Sequence, residues 1–116
     1  MAEVIISTHG ASFADVVAIA RDGAKVVISK ESLAAMQKSR DHVEALAASD
    51  TPVYGISTGF GALANRHVST DLRTQLQRSL IRSHAAGVGA PAEVEVVRAL
   101  MALRLKTLAS GRTGVR

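Results

Sequence analysis

The densest chemical signal in this chain is one short stretch, Tyr54-Gly55-Ile56-Ser57-Thr58-Gly59-Phe60-Gly61. Three glycines, Gly55, Gly59 and Gly61, fall within seven positions. Glycine lets the backbone adopt positive φ and approach a ligand closely, at a cost in conformational entropy. Such a loop is mobile unless packing holds it. A phenol at its start, Tyr54, could swing into a pocket. Tyrosine titrates near pH ~10 in isolation, so a general base at Tyr54 needs its pKa lowered by its surroundings. The pattern G-x-x-x-G-x-G is neither a phosphate-binding loop nor a dinucleotide fingerprint. It lacks the G-K-[ST] ending, and no strand–helix unit frames it. On spacing alone the stretch reads equally as a surface turn with incidental glycines.

His84 is the second candidate. It continues the series Leu72, Leu76, Leu80 at the edge of a helical stripe. Imidazole changes charge and hydrogen-bonding role near neutral pH, which suits binding or proton transfer. The same placement also fits a satisfied histidine in a core or an interface. His9, His42 and His67 are scattered without ligand spacing, so no metal site is expected. There is no cysteine, which excludes disulfides and thiolate sites and fits a reducing compartment.

Elements must hold these residues in place. Val4 to Ser7 reads as a short strand. Ser12, with Asp15 three residues on, reads as the N-terminus of a helix that Gly23 ends. Lys25-Val26-Val27-Ile28 reads as a second short strand. Ser29 caps a longer helix with Leu33, Met36, Val43 and Leu46 on one face, running to about Ala48. Asp50-Thr51-Pro52 breaks it. Residues 53–68 show no sustained period and form a long loop, a feature that is often functional in compact domains. Ser69 begins a third helix, with Asp71 in its first turn and Gly87 and Gly89 closing it. Pro91 opens a fourth, with Glu93 in the first turn. On that helix Val94, Val97, Met101, Leu105 and Leu108 share one face, and Val96, Leu100 and Leu103 lie opposite. A helix apolar on both sides belongs inside a larger core than three short helices supply. The expected fold is mainly α with short N-terminal strands. It divides into a small α/β segment (1–51), a Tyr/Gly-rich loop (52–68) and the start of a helical core (69–116).

Composition sets further bounds. The chain has 116 residues, enough for one domain, with 47% hydrophobic and 21% charged residues. The net charge is +4 and the pI is about 10.1, which raises the question of nucleic acid. The basic residues are scattered among acidic ones, and no aromatics alternate with them to stack bases, so no nucleic-acid partner is expected. No apolar run approaches the ~20 residues of a membrane span, and Met1-Ala2-Glu3 lacks a secretory pattern. No membrane association and a cytoplasmic location are expected.

Four ordered segments carry a resemblance. Residues 53–61 look like the Y-G-[IV]-x-T-G-F-G loop of the aromatic amino acid ammonia-lyases. Leu76-Gln77-Arg78-Ser79-Leu80, followed by Ser83-His84-Ala85-Ala86-Gly87-Val88-Gly89, resembles L-Q-x-[SN]-L-x-x-S-H-A-A-G-x-G. Val97-Arg98-Ala99-Leu100-Met101 resembles V-R-x-x-M, and Gly111-Arg112-Thr113-Gly114-Val115-Arg116 resembles G-x-[ST]-G-[VI]-R. The similarity is strong over residues 52–116 and loose over 1–51. It implies the N-terminal domain of a large helical-bundle lyase, a homotetramer in which several subunits build each active site.

The resemblance implies elimination of ammonia from an aromatic amino acid. The electrophile is a 4-methylideneimidazol-5-one group made autocatalytically from an internal Ala-Ser-Gly. Tyr54 would be the base that takes the β-proton, carried by Gly55, Gly59, Phe60 and Gly61. Ser83-His84 would select the ring, the histidine contacting a substrate imidazole. The implied reaction is L-histidine to urocanate. The runner-up within the same chemistry is a phenylalanine or tyrosine ammonia-lyase or an aminomutase. From a different class, the chain could be a small basic binding or self-assembly module. Two departures stand out. Ser57 occupies a position where histidine-type members often carry asparagine. Ala109-Ser110-Gly111 is literally an Ala-Ser-Gly, but it ends the fourth helix, where Gly111 is a natural left-handed terminator. The prosthetic triad is expected beyond Arg116 and no cofactor within residues 1–116, so the chain is expected to be a part of a longer lyase, inactive alone.

Overall fold

The computed structural model describes residues 2–115. In chain order the elements are β1 (Glu3–Ile6), α1 (Phe13–Ala20), β2 (Lys25–Ile28), α2 (Lys30–Ala48), a 3-10 turn (Gly61–Leu63), α3 (Thr70–His84) and α4 (Val94–Leu108). The fold is mainly helical with two short strands, as the sequence implies. The chain forms two compact units. One contains the residues up to His42 together with those from Pro91 on, and the other is Val43–Ala90.

In the first unit β1 and β2 pair in parallel, with Val4 opposite Val26 and Ile6 opposite Ile28. Parallel strands need a crossover, and α1 supplies it. The two-residue period of β1 buries Val4 and Ile6 and leaves Ile5 exposed. The start of α1 is a complete capping box. The Ser12 hydroxyl accepts from the Asp15 N–H at 3.1 Å, and the Ser12 N–H donates to the Asp15 carboxylate at 2.8 Å. The Ser12 hydroxyl donates to the same carboxylate at 2.7 Å. That hydroxyl, and the backbone bond after it, hold the Asp15 carboxyl below its ordinary pKa. Gly23, at φ 68, ends the helix, and the Ala24 N–H closes back onto the Ala18 carbonyl at 3.0 Å. Ser29 caps α2 as expected, accepting from the Ser32 N–H at 3.1 Å.

The core of this unit is Val4, Ile6, Ile19, Ala24, Ala102 and Ala109, with Ala18, Val26, Ile28, Met36 and Leu105 packed against it. This corrects the expected helix faces. On α4 the inward line is Arg98, Ala102, Leu105 and Ala109, while Val94, Val96, Leu100, Met101 and Leu103 are exposed. On α2, Met36, Val43 and Leu46 are half-buried as expected, but Leu33 is exposed and Ser32 is buried. Small side chains let the helices approach closely, and on α4 large residues alone misplaced the stripe. Arg98 donates from Nε and Nη2 to the Ile19 carbonyl at 3.0 and 2.7 Å, so α4 supplies a cation to the C-terminal turn of α1. Arg21 and Glu95 add an exposed ion pair at 2.9 Å between the same two helices.

The first strand runs Glu3–Ile6, one residue earlier than expected, and two helix boundaries differ as well. α3 ends at His84, before Gly87 and Gly89, with Ala85 outside helical geometry (φ −81, ψ 69). α4 starts at Val94, with Glu93 still extended (φ −58, ψ 142), so Pro91 lies in the connection and does not open the helix. Among the described residues no helix is long and apolar enough to cross a membrane.

Candidate functional site

All the candidate residues lie in the Val43–Ala90 unit. The stretch from Val53 to Val68 is ordered by a small polar core. Ser57 is fully buried, and Thr58 and Gly59 are buried beside it. The Ser57 hydroxyl accepts from the Val53 N–H at 2.9 Å. The Ser57 N–H returns to the Val53 carbonyl at 3.0 Å, and the Ser57 carbonyl accepts from the Val68 N–H at 2.9 Å. Thr58 bridges to His67 in antiparallel fashion, and the Gly59 N–H donates to the Arg66 carbonyl at 3.1 Å. Packing therefore holds the glycine-rich segment.

Two of its glycines are required by geometry. Gly55 sits at φ 72 beneath the Phe60 ring. A Cβ at Gly59 would stand 2.6 Å from the Leu63 Cβ and 3.0 Å from its carbonyl oxygen. Arg73 fastens the segment at both ends. Its Nε donates to the Val68 carbonyl at 3.1 Å, and its Nη1 donates to the Ala47 carbonyl in the last turn of α2 at 2.9 Å. At the start of α3, the Ser69 side chain bonds the Asp71 carboxylate and holds it below its ordinary pKa.

Tyr54 is 62% exposed. Its ring meets Phe60 edge-on, with centroids 5.8 Å apart at 80°. An open cleft of about 800 Å³ is lined by Tyr54, Phe60, Gly61, Leu80, Ile81 and His84. The structure thus brings together on one cleft residues thirty positions apart in sequence. His84 stands at the last residue of α3, where its Nδ1 lies 2.9 Å from the Leu80 carbonyl and 3.0 Å from the Ser83 hydroxyl. A carbonyl only accepts, so the Leu80 contact is a hydrogen bond in the tautomer with the proton on Nδ1, which leaves Nε2 to accept. Ser83 donates to the same Leu80 carbonyl at 2.8 Å and does not line the cleft. Leu72, expected on the α3 stripe, is exposed; the half-buried line is Arg73, Leu76 and Leu80.

Ser57, Thr58 and Arg73 were not candidates on sequence grounds. A buried serine inside a glycine-rich run looks like any polar loop residue, and nothing in the spacing of Arg73 announces its two carbonyl partners. Among the described residues no group of three or more His, Asp and Glu side chains is placed to hold a metal.

The Ala109-Ser110-Gly111 triplet does not fit a cyclised prosthetic group. Ala109 is fully buried in the core and its N–H completes α4 onto the Leu105 carbonyl at 2.8 Å. Gly111 lies at φ 74 against Ala35, where a Cβ would come within 2.8 Å of the Ala35 carbonyl carbon. The segment after it is tied to α2: the Gly114 N–H donates to the Ser39 hydroxyl at 3.1 Å, and Arg40 reaches the Gly114 carbonyl at 3.4 Å. Both ends of the triplet are engaged in packing.

The chain belongs to the aromatic amino acid lyase family, whose sequence description matches residues 11–116. It is 60% identical over all its 116 residues to the histidine ammonia-lyase of Streptomyces griseus, covering 23% of that relative. It is 50% identical over 102 residues to the histidine ammonia-lyase of Gloeobacter violaceus, covering 88% of this chain and 20% of the relative. Among solved structures, tyrosine aminomutase from Streptomyces globisporus superposes with a TM-score of 0.91 at 37% identity, covering 98% of this chain and 22% of that one. The ergothioneine-degrading enzyme ergothionase from Treponema denticola, solved with desmethyl-ergothioneine sulfonic acid, gives a TM-score of 0.92 at 31% identity, over 97% of this chain and 23% of that one. The chain therefore spans about 23% of the length of the curated relatives it matches.

Proposed function

We propose that this chain is the N-terminal part of a histidine ammonia-lyase, a cytoplasmic homotetramer that converts L-histidine to urocanate and ammonia. The observation that carries the reading is the shared cleft, with a phenol at Tyr54 and an imidazole at His84 on its wall. The β-proton of an amino acid is barely acidic, and its removal needs a base held in line with the Cβ–H bond. Tyr54 takes that role. His84 offers Nε2 to an N–H of the substrate imidazole, a contact that orients the ring and that leucine could not replace. Phe60 braces the phenol edge-on and Ile81 adds apolar wall. Ser83 acts on the ring-binding side through His84, by sharing the Leu80 carbonyl with it. The family's methylidene-imidazolone supplies the electrophile that activates the amine; in this reading it comes from the part of the enzyme beyond residue 116.

The test is made in the full-length protein, following urocanate by its ultraviolet absorbance. Tyr54→Phe is expected to keep the native melting transition and lose several orders of magnitude in kcat. His84→Leu is expected to lose most kcat/KM on L-histidine and to shift preference towards L-phenylalanine. Near-normal turnover in Tyr54→Phe removes the base role. Unchanged substrate preference in His84→Leu removes the ring-selecting role of His84, and faster turnover of L-tyrosine or L-phenylalanine than of L-histidine by the unmutated enzyme favours an aminomutase or a lyase for another aromatic amino acid.

A further inference from the structure

We infer that Ser57 is the positioning residue for Tyr54: its buried hydroxyl locks the five-residue turn that aims the phenol at the cleft. The inference rests on the reading of Tyr54 as the base. Three observations carry it. The first is closure. Val53 and Ser57 are joined twice, by the Val53 N–H to the Ser57 hydroxyl at 2.9 Å and by the Ser57 N–H to the Val53 carbonyl at 3.0 Å. Tyr54 is the first residue inside that ring, and Gly55 turns the backbone at φ 72 directly after it.

The second is the scarcity of other support. Tyr54 is well exposed, and Phe60 is the ring it meets. With so little side-chain packing, the direction of its Cα–Cβ bond is set by the turn. The third is anchorage. Ser57 also receives the Val68 N–H at 2.9 Å, and the Val68 carbonyl is held by Arg73, which is itself bonded to Ala47. The turn is thus fixed to both flanks of its own loop. Removing the hydroxyl strands the Val53 N–H beside a fully buried side chain, and the turn must open to satisfy it. A shift of about 1 Å at a reacting group costs on the order of 100-fold in rate.

The experiment uses the full-length enzyme carrying Ser57→Ala, Ser57→Thr, Tyr54→Phe and the Ser57→Ala/Tyr54→Phe pair. Ser57→Ala is expected to lower kcat about 10- to 100-fold, with KM for L-histidine changed less than about threefold because ring binding at His84 is untouched. Ser57→Thr keeps the acceptor and restores most of the rate. The double variant is expected to be no slower than Tyr54→Phe, because the two residues act as one unit. If Ser57→Ala does not fold, Ser57→Cys carries the same test, with similar size and a weaker acceptor. Wild-type kcat in folded Ser57→Ala or Ser57→Cys overturns the inference. So does a double variant that loses the full Ser57 factor again on top of Tyr54→Phe. An inactive Tyr54→Phe beside a normal Ser57→Ala removes only the positioning role, whereas an active Tyr54→Phe removes the base reading and this inference with it.

Discussion

Gly111 shows how much a single residue can be constrained by its surroundings. Its φ of 74 disfavours any side chain, and the space where a Cβ would stand is filled by Ala35 of α2. Backbone strain of this kind costs about 1–3 kcal/mol by itself, before any displacement of α2. Gly61 has a similar φ of 56 but nothing within 4 Å of its Cβ position, so Gly61→Ala carries backbone strain alone. Gly111→Ala is therefore expected to lower the unfolding free energy by clearly more than Gly61→Ala, read from paired urea titrations of the same chain. Equal losses would mean that α2 yields freely. The sequence told the two glycines apart only by context: Gly111 follows a helix, so its role as terminator was legible, while the close approach of Ala35 was not. Tyr54 and His84 were legible because their chemistry stands out. Ser57 was not, because what matters there is burial, and a hydroxyl among glycines carries no sign of it.

At the scale of elements, local signals were read well where the partners are local. The Ser12–Asp15 box, the Ser29 cap and the Gly23 terminator each involve groups within a few residues of one another, and all three form. Failures came where tertiary packing decides. Gly87, Gly89 and Pro91 looked like stop and start signals, yet α3 stops at His84 and α4 waits until Val94. The buried faces of α2 and α4 run through serine and alanine, which hydrophobic patterning passes over. The capping box also carries a pH dependence. The Ser12 contacts depress the folded-state pKa of Asp15, so the unfolded chain binds the proton more tightly. The contribution of Asp15 is fully present above the ordinary carboxylate range near pH ~4. It fades as pH falls through the depressed folded value. Asp15→Asn is expected to destabilise the chain at neutral pH and to converge with the parent at strongly acid pH. A constant gap across the range would assign the effect to something other than ionisation.

Across the whole molecule, the feature with most consequence for handling is the exposed apolar surface of α4. Leu100 is 67% exposed with Val96 and Leu103 on the same face, and Met101 is 65% exposed with Val94 on the opposite one. Apolar surface of this extent marks a site that another surface covers. The 116-residue chain is expected to self-associate as concentration rises, seen as increasing mass in sedimentation velocity. Leu100→Lys with Met101→Lys is expected to abolish that rise and keep the helical circular dichroism. Identical behaviour of the two chains would place the sticky surface elsewhere.

The first unit is discontinuous, and this sets an order of events when the chain is made. Val4, Ile6, Ile19 and Ala24 leave the ribosome early, but the residues that complete their core, Ala102 and Ala109, come only after the whole of the second unit. Arg98 meets the Ile19 carbonyl across 79 positions of chain. Until Ala102 and Ala109 have been made, the β1–α1–β2 core therefore stays uncovered in every nascent molecule. The second unit, whose hydrogen bonds around Ser57 and Arg73 are short in sequence range, can form while the first is still waiting. The loop that bears Tyr54 can then be in place before the scaffold encoded on either side of it has closed.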